Sequence, residues 1–247
     1  MIPLKSRKDL QMLKVSGEIL ARVLQKVQLI VRAGITTLDI DRLSEELILK
    51  EKALPAFKGY QGFPAAACVS VNEEIVHGIP GPRVLLEGDI VSIDLGVNYQ
   101  GYFSDAAMTL PVGKVEGPKK KLIEVASQAL DIGIRQASVG NNLTDISHSI
   151  QSFVEAHGFS VVRQFVGHGI GTALHEAPEI PNFGKPHLGP QLKSGMVLAI
   201  EPMINIGTWE ARITANGWTA VTRDGLSSAH FEHTVAITDK GPEILTK

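Results

Sequence analysis

The first fifty positions contain two stretches in which apolar residues recur at steps of three and four, the spacing of one buried helix face. The pattern predicts a helix from Asp9 to about Val31, with Gly34 as the glycine that ends it. Thr37 is expected to cap a second helix, whose inner stripe consists of Ile40, Leu43, Leu47 and Ile48. The chain therefore begins as a pair of helices.

Later in the chain, further helical stretches alternate with short apolar runs typical of strands. Pro118 fits the first turn of a helix that Gly140 would close, and Asn142 is expected to cap another that ends at Gly158. Apolar runs at 67–71, 88–94, 196–201 and 231–238 predict strands. A turn at 99–101 predicts a return strand through Asp105. Together these elements indicate an α+β protein.

The sequence contains an internal repeat. GDIVSID at 88–94 and GMVLAIE at 195–201 share a glycine, an apolar run and a final carboxylate, Asp94 or Glu201, at the same spacing. Upstream of each run, a glycine precedes an Asp-Ile pair between two helical patterns, at Gly34 and at Gly140. One interpretation is coincidence between two β-rich runs. The other is a duplicated helix–helix–strand unit, whose carboxylate-bearing strands meet across a pseudo-twofold axis.

Composition and charge exclude several classes of protein. The 24 Lys and Arg residues against 26 Asp and Glu give a net charge of −2, which disfavours binding to nucleic acid. The single Cys68 excludes an internal disulfide framework. No apolar run approaches the roughly 20 residues of a membrane span, and the first ten residues lack the apolar core of a signal peptide. We therefore expect a soluble, cytoplasmic protein without a membrane partner.

Two pairs of carboxylates occupy strand positions where a solvated acid is unusual. Asp94 ends one apolar strand, and the predicted hairpin brings Asp105 close to it. Glu201 follows an apolar run, and Glu232 alternates with apolar neighbours in another strand. Like charges at close range require a cation. The alternatives are that each Asp caps a turn and that Glu232 lies on the exposed face of a half-buried strand.

Three histidines lie in loops rich in Gly and Pro. His168 stands in GHGIG, His175 in HEAP and His77 in HGIP. Histidines in such loops, beside four strand carboxylates, favour a functional role. The other five histidines lack this setting and are expected to be structural: His148, His157, His187, His230 and His233.

The ligand charges indicate a centre with two metal ions. Four carboxylates and one neutral imidazole carry −4, which two divalent cations balance. The oxygen-rich ligand set is more typical of Mn, Fe or Co than of zinc, which is often held by thiolates. Two cations that share a hydroxide are typical of hydrolases. The sequence contains no HExxH, phosphate-binding loop or GxSxG motif.

Seven motifs in this order and spacing resemble type I methionine aminopeptidases in their short bacterial form. They are HGIP, SIDLG, FSDAAMT, GHGIG, HEAP, AIEPM and FEHT, and they span nearly the whole chain. The resemblance implies a pita-bread fold, in which a curved antiparallel sheet with outer helices is divided into two pseudo-twofold-related halves. We expect one catalytic domain, 1–247, with halves of about 1–112 and 113–247.

The resemblance also implies a role for each metal ligand. Asp94 would chelate one ion, His168 and Glu201 would chelate the other, and Asp105 and Glu232 would bridge both. The cofactor would be two divalent ions (Co, Mn, Fe or Zn), whose bridging hydroxide attacks the scissile carbonyl.

Three residues would have catalytic roles. Glu201 would pass a proton to the departing amine, and His175 would donate a hydrogen bond to the carbonyl oxygen. His77 would contact the peptide backbone near the leaving group.

The implied reaction is removal of the initiator methionine from nascent proteins with a small second residue. The substrate's free α-amine would bind the ion held by Asp94. The methionine side chain of the substrate would enter an apolar pocket lined by Phe57, Tyr60, Phe63, Cys68, Leu174 and Trp218. Leu174 stands where the family often has an aromatic residue, and Phe57 stands where it often has Cys. The implied partners are nascent chain N-termini and, transiently, the ribosome exit region, with the protein itself a monomer.

Two other hypotheses fit parts of the pattern. A proline-directed peptidase of the same fold would usually carry an additional N-terminal domain. A binding protein for ribosomes or RNA that had lost catalysis would typically lack several of the ligands.

Overall fold

The computed structural model describes residues 2–247, in which the helices form two pairs. These helices are α1 (Arg7–Val27), α2 (Thr37–Lys50), α3 (Gly117–Gln136) and α4 (Leu143–Ala156). Within the described range, no helix is both long enough and apolar enough to cross a membrane.

Three predicted helix boundaries are wrong, each for a local reason. Helix α1 begins earlier than predicted, because Ser6 and Asp9 cap it reciprocally, and it gives way to a 3-10 turn at Gln28–Ile30. Helix α2 is capped by Thr36 rather than Thr37, since the Thr36 side chain accepts the Asp39 N–H. Helix α3 ends at Gln136, so Gly140 lies in the following turn instead of closing the helix.

Fifteen strands lie within the described residues. They are β1 (Leu54–Pro55), β2 (Ala67–Val71), β3 (Glu74–Val76), β4 (Ile90–Tyr99), β5 (Tyr102–Pro111), β6 (Ser160–Val161), β7 (Gly167–Gly169), β8 (Glu176–Ile180), β9 (Val197–Ile200), β10 (Met203–Asn205), β11 (Ala211–Ile213), β12 (Ala220–Thr222), β13 (Ser228–His230), β14 (Glu232–Thr238) and β15 (Gly241–Ile244). The predicted strands are all present: the strand at 67–71 has the predicted bounds, and the bounds of the others differ by up to five residues.

The main sheet has nine antiparallel strands arranged around a central pair. Its order runs β1-β4-β5-β14-β9-β7-β8, with β2 also paired to β4 and β15 also paired to β14. Around the β5–β14 pair the order is symmetrical, because β4 and β2 lie on one side where β9 and β7 lie on the other. The two runs identified as a repeat form the corresponding strands β4 and β9.

The helices cover one face of this sheet and leave the other face free for the site. Helices α1 and α2 pack with β2, β4 and β5 in one core, and α3 and α4 pack with β9 and β14 in a second core. Val91, Ile93 and Leu95 of β4 face α1 and α2. Because strand residues alternate between faces, Asp94 points to the opposite side. The predicted boundary near residue 112 falls between β5 and α3.

Candidate metal centre and adjoining pocket

Strand register places two of the predicted acids in one row across the sheet. Cys68 on β2 pairs with Asp94 on β4, Asp94 pairs with Ala107 on β5, and Ala107 pairs with Glu232 on β14. Only the methyl group of Ala107 therefore lies between Asp94 and Glu232 in this row. Asp105 lies on the same face as Ala107, opposite Gly96. The small residues in this row leave room for the carboxylates to converge.

The remaining predicted ligands, His168 and Glu201, come from β7 and from the end of β9. His168 pairs with Ala199, and Glu201 directly follows β9. A Cβ on Gly167 would lie 2.4 Å from the Ala199 carbonyl oxygen, and one on Gly169 would lie 2.2 Å from the Ala177 carbonyl oxygen. The glycines on both sides of His168 are therefore required, because β7 runs too close to its neighbours for side chains.

His168 is oriented with one ring nitrogen directed at the acids. Its Nδ1 lies 2.9 Å from the carbonyl oxygen of Gly169, which can only accept, so Nδ1 carries the proton. Nε2 then has a free lone pair, 3.5 Å from Glu201 Oε1 and 4.0 Å from Asp105 Oδ2. Ligand atoms of Asp105, His168 and Glu232 all lie within 4.8 Å of one another, a spacing that one ion could span.

The observation that fits a metal centre is that three of the buried acids each have a carboxylate oxygen without a hydrogen-bond donor among the described residues. Asp94, Asp105 and Glu232 are 8%, 4% and 2% exposed. One carboxylate oxygen of each has no hydrogen-bond partner among the described residues. Buried carboxylates are costly unless they are paired or coordinate a metal. These oxygens and the His168 nitrogen form the donor set that divalent cations of the first transition row accept.

In the absence of a cation the acids bind protons tightly. Burial raises the pKa of Asp94 to about 7. Burial, together with repulsion between neighbouring carboxylates, raises the pKa values of Asp105, Glu201 and Glu232 well above their usual range. Burial, with a smaller repulsion from His175, lowers the pKa of His168 to about 3. At neutral pH the histidine is ready to act as a ligand, but the acids must release protons first.

We therefore expect the stabilisation by Mn²⁺ to increase with pH. In the metal-free protein the raised pKa of Asp94 contributes stability that is present below the unfolded-state value of 3.8 and is lost as pH rises through about 7. A bound cation replaces these protons. Melting curves with Mn²⁺ and with chelator should show a small difference in Tm at pH 5 and a larger one at pH 8. A difference in Tm that did not depend on pH would contradict this expectation. The Asp94→Asn variant should show a weaker pH dependence of the same difference in Tm.

A cavity of about 330 Å³ adjoins the acids. It is lined by all thirteen predicted site residues and by Gln61: Phe57, Tyr60, Gln61, Phe63, Cys68, His77, Asp94, Asp105, His168, Leu174, His175, Glu201, Trp218 and Glu232. Sequence reasoning did not single out Gln61, which lies in a 3-10 turn with a positive φ of 49°.

The cavity has an apolar end. Phe63 and Trp218 meet edge to face, with ring centroids 5.2 Å apart. A Cβ on Gly96 would lie 2.6 Å from the Phe57 ring, so this glycine allows Phe57 to pack against the sheet. Leu174 is buried beside them. Burial raises the pKa of the Cys68 thiol, so at neutral pH it is a small apolar side chain rather than a nucleophile.

Two further histidines lie at the mouth of the cavity. His175 Nδ1 lies 2.8 Å from the Tyr60 hydroxyl, and its ring centroid lies 4.2 Å from that of His168, with the ring planes tilted by 57°. His77 has a positive φ of 58° and meets Trp218 edge to face at 6.4 Å. Burial lowers the pKa of His77 to about 4, so its ring is neutral.

A buried ion pair holds the loop that carries His175. Glu176 Oε1 accepts the backbone N–H groups of Thr172 and Ala173, and its other oxygen pairs with Lys5. The side chains of Lys5 and Glu176 are only 7% and 10% exposed. The N-terminal segment is thus connected through Glu176 to the loop that carries His175.

We expect Lys5→Met to lower the free energy of unfolding by about 3–5 kcal/mol, because it leaves the Glu176 charge buried and unpaired. Urea unfolding measures this. The matched double variant with Glu176→Gln keeps the acceptor for both loop N–H groups and removes the charge, so it should recover most of the loss. If Lys5→Met alone were neutral, the ion pair would not hold the loop.

His230, expected from the sequence to be structural, lies next to two of the predicted metal ligands. It is 2% exposed, and its Nε2 lies 3.7 Å from Glu201 Oε2 and 4.0 Å from Glu232 Oε2. The sequence does contain a signal for this position. In an extended chain, residues two apart lie on the same face, so His230 lies on the same face as Glu232. None of the five histidines predicted to be structural lines the cavity.

Comparisons with known proteins agree with this geometry. The model of metallopeptidase family M24 matches residues 11–239. A methionine aminopeptidase of Clostridium perfringens is 53% identical and covers 100% of this chain and 99% of that protein. Methionine aminopeptidase 1 of Bacillus subtilis is 50% identical, with both chains fully covered.

Solved structures confirm the predicted pita-bread fold. Methionine aminopeptidase from Thermotoga maritima has a TM-score of 0.99 at 47% identity, with 100% of both chains covered. Prolidase from Pyrococcus furiosus has a TM-score of 0.81 at 23% identity, covering 99% of this chain and 65% of that one. The second match shows a shared fold alone.

Proposed function

Since the chain belongs to metallopeptidase family M24 and resembles methionine aminopeptidases over its full length, we propose that it removes the N-terminal methionine from nascent proteins. The observation that carries this proposal is the convergence of four acids and one neutral histidine in a cavity that has an apolar end. Such a site combines a hydrolytic centre with a pocket for one apolar side chain.

We propose two divalent cations, held as the sequence predicts by Asp94, Asp105, His168, Glu201 and Glu232. The unpartnered oxygens of Asp94, Asp105 and Glu232 support this assignment. Two bound cations supply a water of lowered pKa and Lewis acidity toward the scissile carbonyl. The oxygen-rich ligand set favours Mn, Fe or Co over zinc held by thiolates.

The protein's own groups would move protons and stabilise developing charge. Glu201 lies beside His168 and faces the cavity, where it would take a proton from the attacking water and pass it to the departing amine. His175, oriented by Tyr60, would donate a hydrogen bond to the carbonyl oxygen as negative charge develops. His77, at the mouth beside Trp218, would contact the substrate backbone.

The pocket would select methionine by shape and by the absence of polar partners. Its proposed lining is Phe57, Tyr60, Phe63, Cys68, Leu174 and Trp218. An unbranched thioether fits such an irregular apolar space. Asp94 lies at the end of the ligand row next to Cys68, so the ion it holds would receive the free α-amine. A bulky second residue would collide with the mouth, so small ones should be preferred.

We further propose a monomeric cytoplasmic enzyme that acts briefly near the ribosome exit, without a nucleic acid partner. The net charge of −2 supports the last point. We also propose that 1–247 is one catalytic domain built from two related halves, 1–112 and 113–247. The symmetrical strand order around β5 and β14 supports it.

A substrate panel tests the proposal. Metal is removed with a chelator, Mn²⁺, Co²⁺ or Fe²⁺ is restored, and release of the first residue is measured from Met-Ala-Ser, N-acetyl-Met-Ala-Ser and Ala-Pro. We expect metal-dependent release of methionine from Met-Ala-Ser alone. Cleavage of Ala-Pro would instead indicate a proline-directed peptidase, and no cleavage of any peptide would indicate a binding protein.

A further inference from the structure

His230 is a buried imidazole that the proposed reaction leaves without a role. It is 2% exposed, and its Nε2 has no hydrogen-bond partner among the described residues. The two polar groups that face Nε2 are carboxylate oxygens, Glu201 Oε2 at 3.7 Å and Glu232 Oε2 at 4.0 Å. These distances are too long for hydrogen bonds and are short enough to close with small side-chain movements.

The backbone of His230 is held in place on both sides. Thr109 Oγ1 accepts the His230 N–H at 2.8 Å and donates to the His230 carbonyl at 2.9 Å. Since that donation uses the only hydroxyl proton of Thr109, the 2.8 Å contact with Ser92 must be donated by Ser92. His230 also pairs with Met203 between β13 and β10. The backbone from which the imidazole extends toward the acids is therefore fixed.

Glu201 lies between two imidazoles that are oriented differently. Its Oε1 is 3.5 Å from Nε2 of His168, which has a free lone pair because Nδ1 donates to Gly169. Its Oε2 faces Nε2 of His230. If Oε1 and His168 share a cation, Oε2 is left as an acceptor that needs a donor. Donors to the second oxygen of a metal-binding carboxylate fix its orientation and strengthen metal binding.

We propose that His230 is a positioning residue that donates its Nε2–H to Glu201 Oε2 when the metal centre is filled. The donation holds the Glu201 carboxylate with Oε1 toward the cation. This inference rests on the proposed function, because it assigns to Glu201 the role of a ligand.

Metal binding tests the proposal without relying on activity. Mn²⁺ affinity and stoichiometry are measured by titration calorimetry for wild type, His230→Leu, His230→Gln and the control His233→Gln. His233 is a half-buried neighbour on β14 whose Nδ1 bonds to the Thr246 hydroxyl. We expect His230→Leu to weaken binding about 10–100-fold. His230→Gln, whose amide can donate, should bind within a few-fold of wild type, as should His233→Gln.

Two results of the titration would overturn the proposal that His230 positions Glu201. Equal affinity of His230→Leu and wild type would show that His230 does not support the ligands. A His230→Gln variant as weak as His230→Leu would show that a nitrogen lone pair, not a donated proton, is needed. If wild type itself bound no Mn²⁺, the proposed function would fail as well, which separates the two failures.

A second measurement does not depend on a variant that folds. Nitrogen-15 NMR of the imidazoles in Zn²⁺-loaded wild type reports which ring nitrogen carries hydrogen. We expect Nε2 of His230 to be protonated and Nε2 of His168 to be the metal-bound nitrogen. An unprotonated Nε2 on His230 would overturn the proposal.

Discussion

Glu201→Gln is expected to lower kcat for Met-Ala-Ser by at least roughly 10²–10⁴-fold, the usual contribution of a general acid–base group. The amide has nearly the shape of the carboxylate, so packing at the end of β9 is preserved. It cannot take a proton from water, and it presents an NH₂ group where the metal centre requires an acceptor. Initial rates with saturating Mn²⁺ measure the loss.

A matched variant separates this effect from a general loss of charge near the site. Glu179 is an exposed glutamate on β8, and it pairs with His168 only through the backbone register. Glu179→Gln should therefore retain the wild-type rate. Metal content of each variant is measured in parallel, because lost metal and lost proton transfer both lower the rate. A Glu201→Gln enzyme with a near-normal rate would remove Glu201 from the mechanism.

His175→Ala is expected to lower kcat by roughly 10²–10³-fold, the effect of losing one donor to a developing oxyanion. KM should change only a few-fold, because the hydrogen bond strengthens as negative charge develops. His175 lies at the mouth of the cavity and is exposed, so truncation opens no void in the core. Steady-state kinetics with Met-Ala-Ser separate the two parameters.

The partner of His175 provides the control. Tyr60→Phe removes the hydroxyl 2.8 Å from His175 Nδ1 and leaves the ring in place. It should lower kcat by a smaller factor, because the imidazole remains present but is less well oriented. The opposite pattern for His175→Ala, a raised KM with an unchanged kcat, would make His175 a contact for the bound substrate.

Strand positions of the acids could be predicted because their chemistry conflicts with their surroundings. A carboxylate such as Asp94 at the end of an apolar run is costly to bury unless it is paired or binds a metal, and the repeat linked it to Glu201. The α+β class also followed from local patterns. The structure adds the register that aligns Asp94 with Ala107 and Glu232, which depends on contacts between strands distant in sequence.

Errors arose where short-range signals compete. Thr36 and Thr37 are adjacent and both can cap a helix, and Thr36 is the cap because Asp39 completes the reciprocal pair with it. If the second half repeated the first without interruption, Glu232 would come twenty positions earlier in the sequence. The difference arises because the short strands β10–β13 lie between β9 and β14. His230 lies at the end of that insertion, so the repeat gave no indication of its position.

The junction of β5 and β14 has a mechanical consequence. Only two positions are paired along it, Ala107 with Glu232 and Ala106 with His233. Asp105 stands on one side of this junction and Glu232 on the other. The ion that we propose to bind both carboxylates would therefore connect the two sides of the sheet across this junction. Without the ion, the raised pKa values of Asp105 and Glu232 favour protonated carboxyl groups, which cannot replace the proposed metal bridge. We therefore expect a chelator that abolishes activity also to weaken the contact between β5 and β14.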